Sequence, residues 1–318
     1  MKRSHIIGII VGALVIAGAL TAIYWPKKAS VPGSTEGATE EHATEHGGEA
    51  APTEGTGTPS HELTKAPQAP LPSSEDPKMK KIDAFIQRSH ILDEFKAMDD
   101  LMESQLEQIQ DQLSASDQED LENLKKIISS EALMNDYKRM MHERFDEKSL
   151  DRLNEIYQDP TLAKVKETQI QNQSPEGQKD MIDYWKNFKE SNLSPERLAL
   201  LKEYDNKSGG SEATMKMIRE VSRLSGGADA KDAAKFEETA KAMLPSIEKA
   251  NLVQNAKNMA NVSDSDMKGL NKTVSDPVFH MEAEVRQGVA TGAMQKVANT
   301  VSEKEHKKDD SKKDEDHH

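Results

Sequence analysis

The chain has 318 residues, no cysteine, 42 basic and 56 acidic residues, and a formal net charge of −14. This acidic balance argues against a nucleic-acid-binding protein, because phosphate binding needs a concentrated basic surface. The absence of cysteine excludes a disulfide framework, a thiolate nucleophile and a zinc ribbon. We therefore expect no nucleic-acid partner, no metal and no cofactor.

The N-terminal segment has the character of a membrane span. Residues 6–25 carry no charged side chain, and Lys27 and Lys28 follow directly. Twenty residues in a helix are about 30 Å long, which is the thickness of the hydrocarbon part of a bilayer. The pattern predicts a transmembrane anchor over residues 1–28. The alternative is a cleaved signal peptide, because Ala17-Gly18-Ala19 is a plausible cleavage site.

The short charged leader before the span favours a topology in which the long C-terminal part leaves the cytoplasm. The sequence thus predicts a single-pass protein of a bacterial cytoplasmic membrane, with its body in the periplasm or outside the cell. Residues 6–25 would contact the lipid bilayer. Gly8 and Gly12 are four residues apart, a spacing that lets two membrane helices approach closely, so they form a possible homodimer face. Glycine is also common in such spans without any dimer.

Two segments flanking the body have compositions that cannot bury a core. Residues 29–78 combine seven prolines with eight glutamates and few apolar side chains, which predicts a disordered acidic linker. Residues 303–318 alternate lysine pairs with aspartate and glutamate, which predicts a charged, disordered tail. The folded body should therefore lie between residues 79 and 302.

The body shows helical periodicity and no convincing strand. From Phe95 to Leu113, apolar residues recur every three or four positions, as on one face of a long helix. Similar patterns predict helices at about 91–113, 116–128, 131–144, 147–158, 160–172, 175–191, 195–206, 211–225, 229–261, 264–274 and 277–302. We expect an all-α, membrane-anchored helical bundle without a sheet, divided into a first half (79–192) and a second half (193–302).

The two halves contain an internal repeat. Residues 145–160 align without a gap to residues 262–277, 117 positions later, and both segments contain Leu-Asn and end in Asp-Pro. The match predicts two related helical-hairpin units. The alternative is that unrelated helical hairpins look alike because all helices share the same capping rules.

The first copy of the repeat resembles a known family. It carries an apolar and aromatic pattern at Phe145, Leu150, Leu153, Ile156, Tyr157 and Pro160, and a Ser-Pro-Glu-Gly-Gln-Lys run follows at 174–179. These residues are similar to the hallmark of a bacterial family of small exported helical proteins of unknown function. Here the two parts of the hallmark are separated, Asp159 replaces a serine, and no Gly-Gln-Lys follows Pro160. The resemblance implies an all-helical exported domain and brings no activity or catalytic residue.

The densest group of aromatic side chains comprises Met181, Tyr184, Trp185 and Phe188 on one helix face. Such a face is a possible groove for a protein partner, although core packing is the ordinary explanation. No catalytic or phosphate-binding motif occurs in the chain. The sequence therefore predicts a non-enzymatic binding or scaffolding protein. An envelope assembly factor or chaperone-like protein is the alternative, and an enzyme of unrecognised type is a more distant one.

Overall fold

The structure is a computed structural model, and it describes residues 70–110, 115–225 and 230–315. Every regular element in these ranges is a helix, which confirms the predicted all-α fold and the absence of a sheet from the described residues. The helices are α1 (Pro77–Ser89), α2 (Ile91–Gln110), α3 (Ala115–Ile128), α4 (Ser130–Arg144), α5 (Glu147–Ile156), α6 (Pro160–Gln173), α7 (Pro175–Asn187), α8 (Pro195–Ser208), α9 (Gly210–Ser225), α10 (Ala230–Asn258), α11 (Asp264–Thr273) and α12 (Pro277–Glu315), with one 3-10 turn at Glu190–Asn192.

Short polar caps set the boundaries of several helices. Helices α1, α6, α7, α8 and α12 each begin at a proline, whose missing N–H costs nothing in the first turn. The side chain before each proline accepts hydrogen bonds from free backbone N–H groups of that turn, which stabilises the helix start. These caps are Asp76, Asp159, Ser174, Ser194 and Asp276.

The two segments of the predicted repeat have matching local structures. Helix α11 begins and ends 117 residues after the corresponding ends of α5. Each is preceded by a capping side chain and followed by an Asp-Pro pair that starts the next helix. Leu150 and Leu153 are fully buried in α5, and Met267 and Leu270 occupy the equivalent buried positions in α11.

The matching extends from these segments to the packing of whole helices. In the first half, α1 packs against α2, α4 and α5, and α2 packs against α4 and α6. In the second half, α8 packs against α9, α10 and α11, and α9 packs against α10 and α12. The series α1, α2, α4, α5, α6 thus has the same neighbours in the same order as α8, α9, α10, α11, α12.

One helix of each half, α6 and α12, packs against the other half. Helix α12 lies against α4 and α5, and α6 correspondingly lies against α10 and α11. One hydrophobic core runs through both halves and includes Phe85, Tyr137, Leu153, Leu270 and Val285. The two halves therefore form a single folded body.

Helices α1 and α12 extend beyond the elements predicted from the sequence. Helix α1 was not predicted, and its first residue, Pro77, lies within the predicted linker (29–78). Its buried side chains are spaced by three and four residues, but charged residues between them dilute the pattern. Helix α12 continues to Glu315 and so includes the first thirteen residues of the predicted tail (303–318). That segment contains no glycine or proline, and pairs such as Glu303 and Lys307 have the spacing that supports a helix.

None of the described helices combines the length and apolar character needed to cross a membrane. The predicted anchor (1–28), including Gly8 and Gly12, lies outside the described residues, as does most of the predicted linker.

Candidate functional site

A cavity of about 280 Å³ lies between the two halves of the body. Its wall receives side chains from α2 and α6 of the first half and from α8, α9, α10 and α12 of the second. Much of the wall is apolar, and Phe95, Met98, Met217, Phe279 and Ala290 contribute to it. A cavity of this kind, mainly apolar with a few placed polar groups, is the usual form of a small-molecule site.

A cluster of four charged side chains forms part of the cavity wall. Lys166 Nζ lies 3.0 Å from one carboxylate oxygen of Glu94, and the guanidinium of Arg286 contacts the other. Arg286 also donates to Glu282, one helical turn earlier on α12. The two acids and two bases balance each other, and the cluster joins α2, α6 and α12.

Two tyrosines complete the hydrogen bonding of Glu282, which is only 2% exposed. The hydroxyl of Tyr137 donates to one carboxylate oxygen at 2.5 Å, and the hydroxyl of Tyr157 approaches the other at 3.3 Å. Arg286 in turn donates to the Tyr157 hydroxyl at 3.2 Å. A buried carboxylate is tolerated when it is paired and hydrogen-bonded in this way.

Burial and neighbouring charges shift the pKa values of five side chains in and around this cluster. Burial raises the pKa of Glu94, but the charges of Arg286 and Lys166 outweigh it and hold the pKa below its usual value. Burial and the neighbouring Arg286 lower the pKa of Lys166. Burial opposes the charge of Arg286, but Glu282 and Glu94 raise its pKa well above normal. Burial and the Glu282 charge raise the pKa values of Tyr137 and Tyr157 well above normal, so both remain neutral.

A second polar group occupies the cavity wall of the second half. Asp205, at the end of α8, accepts hydrogen bonds from Asn251 Nδ2 at 3.0 Å and from Ser211 Oγ at 2.5 Å. Asn251 also donates to Ser211 Oγ at 2.9 Å. Burial raises the pKa of Asp205, although its hydrogen bonds with Ser211 and Asn251 work against that rise. Gly210 is required here, because a Cβ at this position would lie 2.5 Å from Asp205 Oδ1.

Several polar groups of the cavity wall are bonded to other groups of the protein. The charged groups of the first cluster are already bonded to one another, and no histidine occurs among the described residues that form the wall. The hydroxyls of Ser208 and Thr214 donate to the backbone carbonyl groups of Asp205 and Gly210.

The predicted partner groove lies elsewhere on the body. Met181, Tyr184, Trp185 and Phe188 lie on or directly after α7, and all four side chains are half-buried. Tyr184 and Phe188 pack against the main core, and Lys257 Nζ lies 5.3 Å from the centroid of the Tyr184 ring. The structure brings the four residues together on one helix face, while binding of a partner there stays a prediction.

Sequence reasoning missed the polar residues of the cavity. A signal was present in α12, where Glu282 and Arg286 share a helical face with the buried Val285 and Val289. Charged side chains within an apolar stripe indicate either a buried ion pair or a functional site. Asp205 and Asn251 gave no such signal, because polar residues are frequent in α8 and α10.

Comparisons of this chain with known protein families, curated proteins and solved structures find no match. The resemblance of residues 145–160 and 174–179 to an exported helical family therefore remains a likeness of short motifs. In the structure these motifs provide helix caps and core positions, since Ser174 caps α7 and Leu150 and Leu153 are buried.

Proposed function

We propose that this chain is a non-enzymatic binding protein that is tethered to a bacterial cytoplasmic membrane through residues 6–25 and carries its helical body outside the cytoplasm. The cavity between the two halves is its binding site for a small molecule. The sequence of residues 1–78 supports the membrane tether, and the cavity supports the binding function. This proposal narrows the binding or scaffolding role expected from the sequence to the binding of a solute.

The observation that carries the proposal is the construction of the cavity wall. Helices of both halves surround a space of about 280 Å³, and the charged cluster in its wall satisfies its own hydrogen bonds. The charged wall is therefore fixed before any ligand arrives, and preorganisation lowers the cost of binding. A chaperone-like role has less support, because Leu92 and Leu244 are the only well-exposed large apolar side chains among those whose burial the structure describes.

We also propose that the two halves are related units that arose by duplication. The equal spacing of α5 and α11, their matching caps and the parallel packing order of the helices support this proposal. A cavity between two such units is a common place for a ligand, since ligand sites often form where domains meet. In this proposal, residues that differ between the two halves, including Glu94 and Arg286, belong to the binding site in the cavity.

The test uses the full chain, purified from membranes in detergent. We expect a small molecule to be released in about one-to-one amount when the protein is denatured, and mass spectrometry measures it. Ala290→Phe places a ring in the cavity and should abolish this release. The matched control is Ala242→Phe, because Ala242 is exposed on α10 and its substitution leaves the cavity unchanged.

Two results would contradict the proposed function. One is equal release from Ala290→Phe and Ala242→Phe, which would place the bound molecule outside the cavity. The other is an empty wild-type protein whose thermal midpoint is not raised by any member of a metabolite library. The duplication has a separate test, which is described with the predictions below.

A further inference from the structure

Asp205 is the one charged cavity residue that lacks a partner of opposite charge. Its side chain is 8% exposed, and no lysine, arginine or histidine pairs with it among the residues that the structure describes. Its partners are the amide of Asn251, the hydroxyl of Ser211 and the Ser211 backbone in the first turn of α9. A helix N-terminus offers roughly half a positive charge, so the carboxylate is only partly compensated.

Asn251, beside Asp205, has a buried acceptor oxygen that lacks a hydrogen-bond donor. The residue is 3% exposed, and its Oδ1 atom is buried with no hydrogen-bond partner. The orientation of the amide is fixed, because its NH2 group donates to both Asp205 and Ser211. Exchanging the nitrogen and oxygen would set the amide oxygen against the carboxylate. A buried acceptor that lacks a donor destabilises the protein by about 1–3 kcal/mol, which a ligand with N–H groups would recover.

The rest of the charged wall does not favour an anion. Lys166 and Arg286 are the cations of the cavity, and both are already bonded to Glu94 or Glu282. Counting Asp205, the wall holds three acids and two bases. Its unsatisfied groups are thus an acceptor oxygen and a partly compensated negative charge.

We propose that the ligand of this cavity is an organic cation, a primary or secondary amine with an apolar body, whose ammonium group binds between the Asp205 carboxylate and Asn251 Oδ1. The inference rests on the proposed function and specifies its ligand. The apolar body contacts Met217, Phe279 and Ala290 in the remaining wall. The ammonium group supplies both the charge that Asp205 lacks and the donor that Asn251 lacks.

Four compounds that share a phenyl ring separate the contributions of charge and hydrogen bonding. Isothermal titration calorimetry on the full chain compares benzylamine with benzyl alcohol, benzoate and benzyltrimethylammonium. We expect benzylamine to bind at least about tenfold more tightly than benzyl alcohol, since its hydrogen bond to a carboxylate is charge-assisted. Benzyltrimethylammonium should bind more weakly than benzylamine because it has no N–H group, and benzoate should not bind.

Two matched variants locate the amine. Asp205→Asn keeps the shape of the side chain and should weaken benzylamine binding at least about tenfold, with little change in the affinity for benzyl alcohol. Asp151→Asn removes an exposed carboxylate on α5 and should leave both affinities unchanged. The ligand-free thermal midpoint of each variant shows that it folds.

The inference is overturned if benzoate or benzyl alcohol binds as tightly as benzylamine, if Asp205→Asn binds the amine as the wild type does, or if none of the four compounds binds. A neutral or anionic molecule that co-purifies with the wild type and is lost in Ala290→Phe would also overturn it. That last result would leave the proposed function standing, so the two failures are distinguishable.

Discussion

Replacing Arg286 with methionine should destabilise the body strongly, because it removes the central cation of the buried cluster. The guanidinium contacts Glu94, Glu282 and the hydroxyl of Tyr157. Methionine has a similar length and an apolar surface, so it fills the space without a large cavity. Two acidic side chains then remain in the interior, and Lys166 is the only cation left in the cluster.

The magnitude follows from the burial of these partners. The side chains of Glu94 and Glu282 are 12% and 2% exposed. Removing one partner from a buried ion pair costs about 3–5 kcal/mol, because an uncompensated charge stays behind. The control is Arg152→Met on α5, whose side chain is 53% exposed while it pairs with Asp276 at 2.9 Å. An exposed ion pair contributes at most about 1 kcal/mol.

Urea unfolding of the full chain, followed by far-ultraviolet circular dichroism, measures both variants near pH 7 and near pH 5. In the wild type the pKa of Glu94 lies below its ordinary 4.5, so its contribution persists at both pH values and is lost only under more acidic conditions. In Arg286→Met, the burial of Glu94 is offset by Lys166 alone, and the pKa of Glu94 rises. Protonation at the lower pH then relieves part of the loss.

Two results would refute this reasoning. The first is a destabilisation by Arg286→Met that is no larger than that of Arg152→Met near neutral pH. The second is a loss in the free energy of unfolding of Arg286→Met that grows on acidification. Such a result would show that the glutamates are not left as buried charges.

Three further predictions concern other parts of the chain. Leu153→Ala and Leu270→Ala, at equivalent positions of the two halves, should each lower the free energy of unfolding by about 2–5 kcal/mol in urea melts, and a negligible effect of either would contradict the duplication. Asp205→Asn should stabilise the ligand-free protein near neutral pH. Folding raises the pKa of the Asp205 carboxyl above 3.8, so this group destabilises the fold as the pH rises above 3.8. The thermal midpoints of variant and wild type should therefore converge in acid. The full-length chain should remain in membranes after alkaline carbonate washing, and N-terminal sequencing that begins at Leu20 would contradict the uncleaved anchor.

The sequence predicted the helices well because their boundaries are encoded locally. A capping residue followed by proline, as at Asp159–Pro160 and Asp276–Pro277, determines a helix start from two adjacent side chains. The same local rules explain why α5 and α11 were expected at nearly their observed positions. Helix α1 was missed because its buried stripe is interrupted by lysines, and its burial depends on α4 and α5 rather than on its own sequence.

The cavity could not be predicted, because its polar residues are far apart along the chain. Glu94 and Arg286 are 192 positions apart, and Asp205 and Asn251 are 46 apart. A single charged residue on a helix is normally solvated, and nothing local distinguishes Glu94 from the many exposed glutamates of this chain. The packing of α12 across the first half brings Glu94 and Arg286 together, and the packing of α8 against α10 brings Asp205 and Asn251 together.

The packing of α12 against the first half and of α6 against the second affects the order in which the protein folds during synthesis. Because α12 packs against α4 and α5, the first half lacks part of its core until the last helix of the chain has been made. The pair of Glu94 with Arg286 cannot form before then either. The N-terminal half can therefore complete its core only after α12 has been made, so its folding is coupled to synthesis of the second half.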